Sequence, residues 1–147
     1  MSERRPDSVP RGIRAMLISV FTAVLCVYVA LCMALFLLQR SMLYFPQPRM
    51  PVPGTALQSL QTEVTLSVTV AGIGREAALI YFGGNAEDVG HSVPELAAAF
   101  PRHAVHALHY RGYGGSGGKP SERALVQDAL ALFDRLRQQH AEIVLIG

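Results

Sequence analysis

Three short segments of the chain carry residue types able to do chemistry. The first is Tyr81-Phe82-Gly83-Gly84-Asn85-Ala86-Glu87-Asp88, where an apolar run stops in small residues. A strand that ends this way leaves main-chain N–H groups accessible, which suits them to hold a developing oxyanion. Any Gly-Gly turn does the same, so this segment alone is weakly specific. The second is the loop Gly112-Tyr113-Gly114-Gly115-Ser116-Gly117-Gly118-Lys119-Pro120, which fits more than one signature. The third is the apolar run Ile143-Val144-Leu145-Ile146, followed by Gly147.

Spacing decides between the glycine patterns. Gly112, Gly114 and Gly117 match G-x-G-x-x-G, but a dinucleotide site needs its helix to begin inside the motif, where the helix N-terminus meets the pyrophosphate. Here Gly118-Lys119-Pro120 delays the helix to Ser121. Gly114-x-Ser116-x-Gly118 matches the nucleophile elbow, which sets its serine on the sharp turn between strand and helix. Ser116 lies six residues beyond Tyr110 and five before Ser121, so it reads as part of a structural loop. A phosphate-binding G-x-x-x-x-G-K-[ST] fails twice, at Tyr113 and at Pro120.

The remaining polar candidates read as structural. His91, His103, His106, His109 and His140 are read as surface or satisfied core residues, and His106 and His109 fall on opposite faces of a strand. No pair has a metal-ligand arrangement, and no cofactor is called for. Asp128 and Asp134 are read as solvated charges on a helix surface. Cys26 and Cys32 both lie in the apolar run near the N-terminus and act there as small hydrophobes, so the rest of the chain has neither a disulfide framework nor a cysteine-based zinc site.

Composition sets the frame for these segments. Half of the 147 residues are apolar and 16% are charged, which excludes intrinsic disorder. Thirteen basic against eleven acidic residues, no basic stripe and no Trp argue against a nucleic-acid binder. The apolar excess is local: residues 16–38 hold 21 apolar positions of 23, with no charge between Arg14 and Arg40. At 1.5 Å per residue that stretch spans roughly 35 Å, enough to cross a hydrocarbon core of about 30 Å. It is too long for a cleaved signal peptide and lacks a small-x-small site after it. Leu25 and Leu31, preceding the cysteines, do not suit lipoprotein processing, and Pro6 after Arg4-Arg5 does not suit twin-arginine export. Arg4, Arg5, Arg11 and Arg14 precede the span, and only Arg40 and Arg49 follow closely, so the positive-inside rule leaves the N-terminus in the cytoplasm and the remainder outside.

The organisation expected is a basic tail over 1–15, a transmembrane helix over 16–38, a Pro-rich spacer over 39–61 and an α/β domain over 62–147. Tyr44 and Phe45 suit an interfacial anchor, and the prolines from 46 to 53 make the spacer stiff and extended. Residues 62–70 alternate as a half-wet strand, with Val64, Leu66, Val68 and Val70 on one side. Residues 77–82 are a buried strand, 93–100 a helix with Pro94 in its first turn, and 104–110 another strand. Ser121 caps a helix running to about His140, its buried face Leu125, Ala129, Leu132, Phe133 and Leu136. Residues 143–146 are a third buried strand. This alternation predicts a parallel α/β sheet with right-handed crossovers.

The combination and order of the segments resembles the membrane-anchored α/β-hydrolase domain proteins, serine-aminopeptidase-like in domain classification, which carry an Arg-Gly-Tyr-Gly-x-Ser loop. The residues that carry the resemblance are Leu43-Tyr44-Phe45-Pro46-Gln47, the Gly83-Gly84-Asn85 turn, the loop Arg111-Gly112-Tyr113-Gly114-Gly115-Ser116, and Ile143 to Gly147. It covers residues 41–147 and implies the first half of an α/β-hydrolase sheet, mostly parallel. It further implies an oxyanion hole at the Asn85 N–H, in the turn made by Gly83 and Gly84. Gly83 stands where many relatives carry His. The loop from Arg111 to Ser116 is implied to be structural, with Arg111 bonding nearby carbonyls.

The short segment between Thr62 and Ala77 suggests that one early antiparallel strand is missing or merged. In this fold the strand resembling 143–146 runs into G-x-S-x-G, with Gly147 as the first Gly, and the triad follows in the order Ser, Asp or Glu, His. No catalytic residue is then expected within the chain, the nucleophile falling just after Gly147. The 147 residues alone are expected to be inactive and to escape fluorophosphonate labelling. Partners expected are the lipid bilayer and an acyl-type small-molecule, lipid or peptide substrate of the longer protein. The alternative function is a non-catalytic membrane-tethered module that pairs a partner strand.

Overall fold

The computed structural model describes residues 10–147 in two compact units that divide between Leu43 and Tyr44. Residues 1–9 of the basic tail lie outside the described residues.

The first unit is one helix, α1 (Arg11–Leu43), 33 residues long. It is long and apolar enough to cross a membrane and buries none of its side chains. It extends past the apolar stretch at both ends and carries Arg11, Arg14 and Arg40 there. Near its C-terminus the Gln39 amide donates to Phe36 O at 2.8 Å and the Ser41 hydroxyl to Leu38 O at 2.8 Å. Pro46 follows soon after, and the residue before a proline is driven out of helical geometry.

The second unit builds a five-stranded sheet from β1 (Ala56–Gln61), β2 (Thr65–Ala71), β3 (Ala77–Tyr81), β4 (His103–Leu108) and β5 (Ile143–Ile146). The spatial order is β1-β2-β4-β3-β5. β1 and β2 form an antiparallel hairpin with Leu60 opposite Leu66, and β2 pairs antiparallel with β4, Val70 opposite His106. β3 then runs parallel to both β4 and β5, with Leu79 level with Val105 on one side and Val144 on the other. The sheet is therefore mixed, and its parallel part is the β4-β3-β5 half.

Helices cover both faces. α2 (Val93–Ala99), entered through a short 3-10 turn over Val89–Ser92, connects β3 to β4. α3 (Glu122–Leu136) connects β4 to β5. Against α3 lie Leu60, Leu66, Val68, Val70, Ala78, Ile80 and Leu108, packed on Leu132 and Leu136. Leu79, Val105 and Ala107 face the other way and pack with Val93, Leu96 and Phe100. Leu66, Leu79, Ile80 and Leu108 are fully buried, each worth about 1.5–3 kcal/mol in apolar area removed from water.

Three expectations need correcting. No early antiparallel strand is missing: β1 occupies 56–61, a stretch read with the Pro-rich spacer. Its alternation is too poor to read, because only Leu60 of its six residues is buried. The strand expected over 62–70 begins at Thr65, since Thr62 folds back to form the hairpin turn, its N–H and hydroxyl both donating to Val64 O at 3.0 Å. The buried stripe of α3 is Ala124, Asp128, Leu132 and Leu136, rotated from the one expected, and the helix stops at Leu136 rather than near His140.

Candidate active site at the C-terminal ends of the parallel strands

β3, β4 and β5 end on the same edge of the sheet, where ligand sites of open α/β sheets form. At that edge the three segments singled out by their chemistry meet. Phe82 N–H donates to Ile146 O at 2.8 Å, which places Gly147 beside Phe82 and the start of the Gly83-Gly84-Asn85 turn. The Tyr110 hydroxyl donates to Gly83 O at 3.1 Å, and the Tyr113 hydroxyl to Asn85 Oδ1 at 3.0 Å. The two tyrosine rings meet edge to face at 6.1 Å, so the loop after β4 leans on the turn after β3.

The segment that follows Leu43 straps the same edge through its main chain. Phe45 N–H donates to Asn85 Oδ1 at 3.3 Å and to the Tyr113 oxygen at 3.0 Å. Gly114 N–H donates to Gln47 O at 2.9 Å, and Met50 N–H to Asp88 Oδ2 at 2.7 Å. Distant stretches of sequence thus converge on Asn85.

The turn has internal order as well. Glu87 Oε2 accepts the Gly84 N–H at 2.7 Å, and Glu87 Oε1 accepts the hydroxyls of Tyr81 and Ser92 at 2.8 Å each. Burial works against ionisation of Glu87, but the donors from Gly84, Ser92 and Tyr81 outweigh it and hold the carboxyl below the usual glutamate range. Tyr81 is raised, by burial first and then by its bond to Glu87. Of the three residues expected to line an oxyanion hole, Gly84 thus has its N–H engaged. Gly83 has no room for a side chain, because a Cβ there would collide with Val89 and crowd Glu87. The sequence reading assigns no role to the side chains of Tyr81, Glu87 and Tyr110, and takes Tyr113 only as part of a structural loop. The signal was present in Tyr81 and Glu87, which flank the glycines at a spacing that lets the chain fold back.

The glycine-rich loop is locked rather than open. The Ser116 hydroxyl donates to His109 O at 2.7 Å and accepts Ser67 N–H at 2.9 Å, and no imidazole stands against it as a base. Arg111 does not bond carbonyls as expected. Its Nε and Nη2 donate to the two oxygens of Asp128 at 2.7 and 2.9 Å, and its Nη1 to Glu63 at 3.1 Å. Asp128 is correspondingly 0% exposed, not a solvated charge. An ionised Asp can be buried on α3 only because a bidentate guanidinium satisfies it. Asp134 is exposed, 3.4 Å from Arg137.

The histidines lie away from this edge or are spoken for. His109 is buried, its Nε2 2.8 Å from the Thr69 hydroxyl, and burial chiefly lowers its pKa. His91 is exposed beside Asp88, and His103 stands 3.5 Å from Glu142. His106 is buried on β4 with no partner for Nε2, and desolvation, aided by His140 and Arg135, takes it to about 4. It lines a cavity of about 440 Å³ together with Gln58, Glu76 and His140, at the end of the sheet where β3 and β4 begin. That cavity touches none of the converging segments, and the strand ends opposite it are the better candidate site, since the three segments meet there.

No family model matches the chain, and neither does any curated protein. Solved structures do. The Pyrococcus furiosus esterase Pf2001 matches in one crystal form at 23% identity and a TM-score of 0.56, covering 71% of this chain and 47% of the esterase. In another form it matches at 24% identity and a TM-score of 0.55, over 70% of this chain and 48% of the esterase. The chain thus spans about half the length of the solved structures it matches. At this identity the likeness establishes the fold alone, a hydrolase-like α/β sheet, which in this chain follows a long apolar helix.

Proposed function

We propose that residues 44–147 form the oxyanion-binding side of a serine hydrolase that cleaves an ester, thioester or amide, held to a bilayer by α1 with its N-terminus in the cytoplasm. The observation that carries this reading is the meeting of the Gly83-Gly84-Asn85 turn with the end of β5, through Phe82 N–H and Ile146 O at 2.8 Å, in a hydrolase-like sheet. In such a sheet the strand in the place of β5 leads into the nucleophile elbow. A serine borne just beyond Gly147 would attack the acyl carbonyl with a histidine as base, and the Asn85 N–H would hold the oxyanion. The charges flanking the apolar stretch 16–38, Arg4, Arg5, Arg11 and Arg14 before it against Arg40 and Arg49 after it, support the orientation.

The test uses protein expressed from the reading frame continued past Gly147, assayed with p-nitrophenyl esters and a fluorophosphonate probe. Hydrolysis and labelling of a serine beyond Gly147 are expected. Asn85→Pro, which removes the N–H, should lower kcat about 100- to 1000-fold, and Asn85→Ala, which keeps it, should lower kcat far less. Labelling at Ser116, or equal losses in the two variants, would overturn the assignment. The rival reading, a tethered interaction module, is favoured by the outer edge of β5, where Leu145 is 56% exposed. It predicts no labelling and a stable complex that Leu145→Lys abolishes.

A further inference from the structure

We propose that Glu87 is a positioning residue of this site, its carboxylate fixing the main chain from Gly83 to Asn85 in the arrangement presented to an acyl group. The proposal rests on the hydrolase reading above. Its physical basis is independent of that reading, because the bonds lie within the turn and its supports.

Glu87 is tied to three places at once. Oε2 takes the Gly84 N–H at 2.7 Å, which sets the peptide plane next to the one bearing the Asn85 N–H. Oε1 takes the Tyr81 hydroxyl from the end of β3 and the Ser92 hydroxyl from the start of α2, at 2.8 Å each. The carboxylate thereby joins the strand before the turn, the turn itself and the helix after it. A charge-assisted bond to a main-chain N–H is about twice as strong as a neutral one. The glycine at 83 belongs to the same device, since any Cβ there would crowd the Glu87 carboxylate.

The turn needs such a hold. Ala86 has φ +63°, the one non-glycine residue with positive φ among the described residues. A left-handed alanine persists only where its surroundings over-determine it. Here Asn85 Oδ1 receives the Ala86 N–H at 3.0 Å and Glu87 closes the bend from the other side. With its lone pairs committed to three donors, Glu87 is poorly placed to act as an acid or base and well placed to orient others.

The consequence is a pH limit with a definite sign. A carboxyl held below its ordinary range contributes fully above the pKa of an unstructured glutamate, and the contribution disappears as pH falls through the folded value. The titratable groups facing it are Tyr81 on β3, Asp88 next in the turn and Tyr110 on the loop after β4. Neither tyrosine changes charge in that acid range.

Two measurements test the proposal. In the full 147-residue chain in detergent micelles, the Gly84 amide resonance should lie downfield, exchange slowly and move on titration of a single carboxyl below the usual glutamate range. Glu87→Gln should abolish that titration while the amides of β4 stay in place. A Gly84 amide that ignores both pH and the substitution overturns the hold. In protein extended past Gly147, Glu87→Gln should lower kcat about 10- to 100-fold with KM little changed. Glu87→Asp should restore part of the rate. Wild-type kcat in the Gln variant overturns the positioning role. An extended protein with no hydrolysis at all breaks the hydrolase reading instead, and the Gly84 titration still decides whether Glu87 holds the turn.

Discussion

The chain makes two glycine-rich connections at the same edge of the sheet, and glycine does different work in each. In the loop after β4, Gly112, Gly114, Gly115 and Gly118 all take positive φ, so the backbone itself turns on them. Gly114 is the tightest, because a Cβ there would also run into the His109 ring. In the turn after β3, neither Gly83 nor Gly84 has positive φ. Gly83 is small so that Val89 and the Glu87 carboxylate can close over it, and the left-handed residue is Ala86 instead. Glycine bends the chain in the first connection and makes room in the second. A loop held by its own backbone and by a buried ion pair is scaffold. A turn held by side chains from several elements has its main chain set by tertiary contacts.

The strongest way to break this comparison is to attack what locks the loop. Asp128→Ala leaves the Arg111 guanidinium buried without its bidentate partner and should destabilise the fold by about 3–5 kcal/mol, read in chemical denaturation. The double change Arg111→Met with Asp128→Leu should recover most of that loss, because a buried ion pair can be exchanged for packed apolar groups at little net cost. If Asp128→Ala leaves the denaturation midpoint in place, the loop is not the scaffold described here.

Next in size is the contrast between the glycines themselves. Gly114→Ala adds a left-handed alanine at about 1–2 kcal/mol and overpacking of about 1–3 kcal/mol, so a loss of roughly 2–5 kcal/mol is expected. Gly84→Ala places its Cβ 3.6 Å from Glu87 Oε2, an ordinary contact, with no left-handed strain, so its stability should change by less than about 0.5 kcal/mol. Equal losses at 84 and 114 would erase the distinction between bending and making room.

The smallest effect sharpens the far end of the loop. Ser121 Oγ accepts the Ala124 N–H at 3.4 Å, a long bond for a cap. Ser121→Ala should lower stability by about 0.5–1 kcal/mol, seen as fraying of the first turn of α3 in amide exchange. A larger loss would mean that the cap, and not the Arg111–Asp128 pair, anchors the loop to the helix.

Much of the fold was legible in the chain before any coordinates. The uncharged stretch of 16–38 reads as a long apolar helix and the continuous apolar run at 77–82 as a buried strand, and both are found. The run at 143–146 is a strand too, but as the edge of the sheet it buries none of its four residues, against the buried strand expected there. The Gly83-Gly84-Asn85 segment was recognisable as a turn offering main-chain donors. β1 was not legible, because a strand with one buried residue and a proline-rich approach has no period to detect. Asp128 was misread for a related reason: its partner Arg111 is 17 residues away, and nothing in the helical pattern says that an acidic residue has a guanidinium beneath it.

Local sequence determined what each segment is, since periodicity, glycine and proline act over a few residues. It determined that α1 is apolar over 16–38, that β3, β4 and β5 are strands joined through helices, and that the glycines lie at strand ends. Only the tertiary structure decided that Tyr81, Ser92, Tyr113 and the chain after Leu43 converge on one turn, the first two donating to Glu87 and the others to Asn85 Oδ1. Hydrogen bonds between residues tens of positions apart depend on strand order and register, which are set by the packing of the whole sheet and leave no trace in any short stretch of chain.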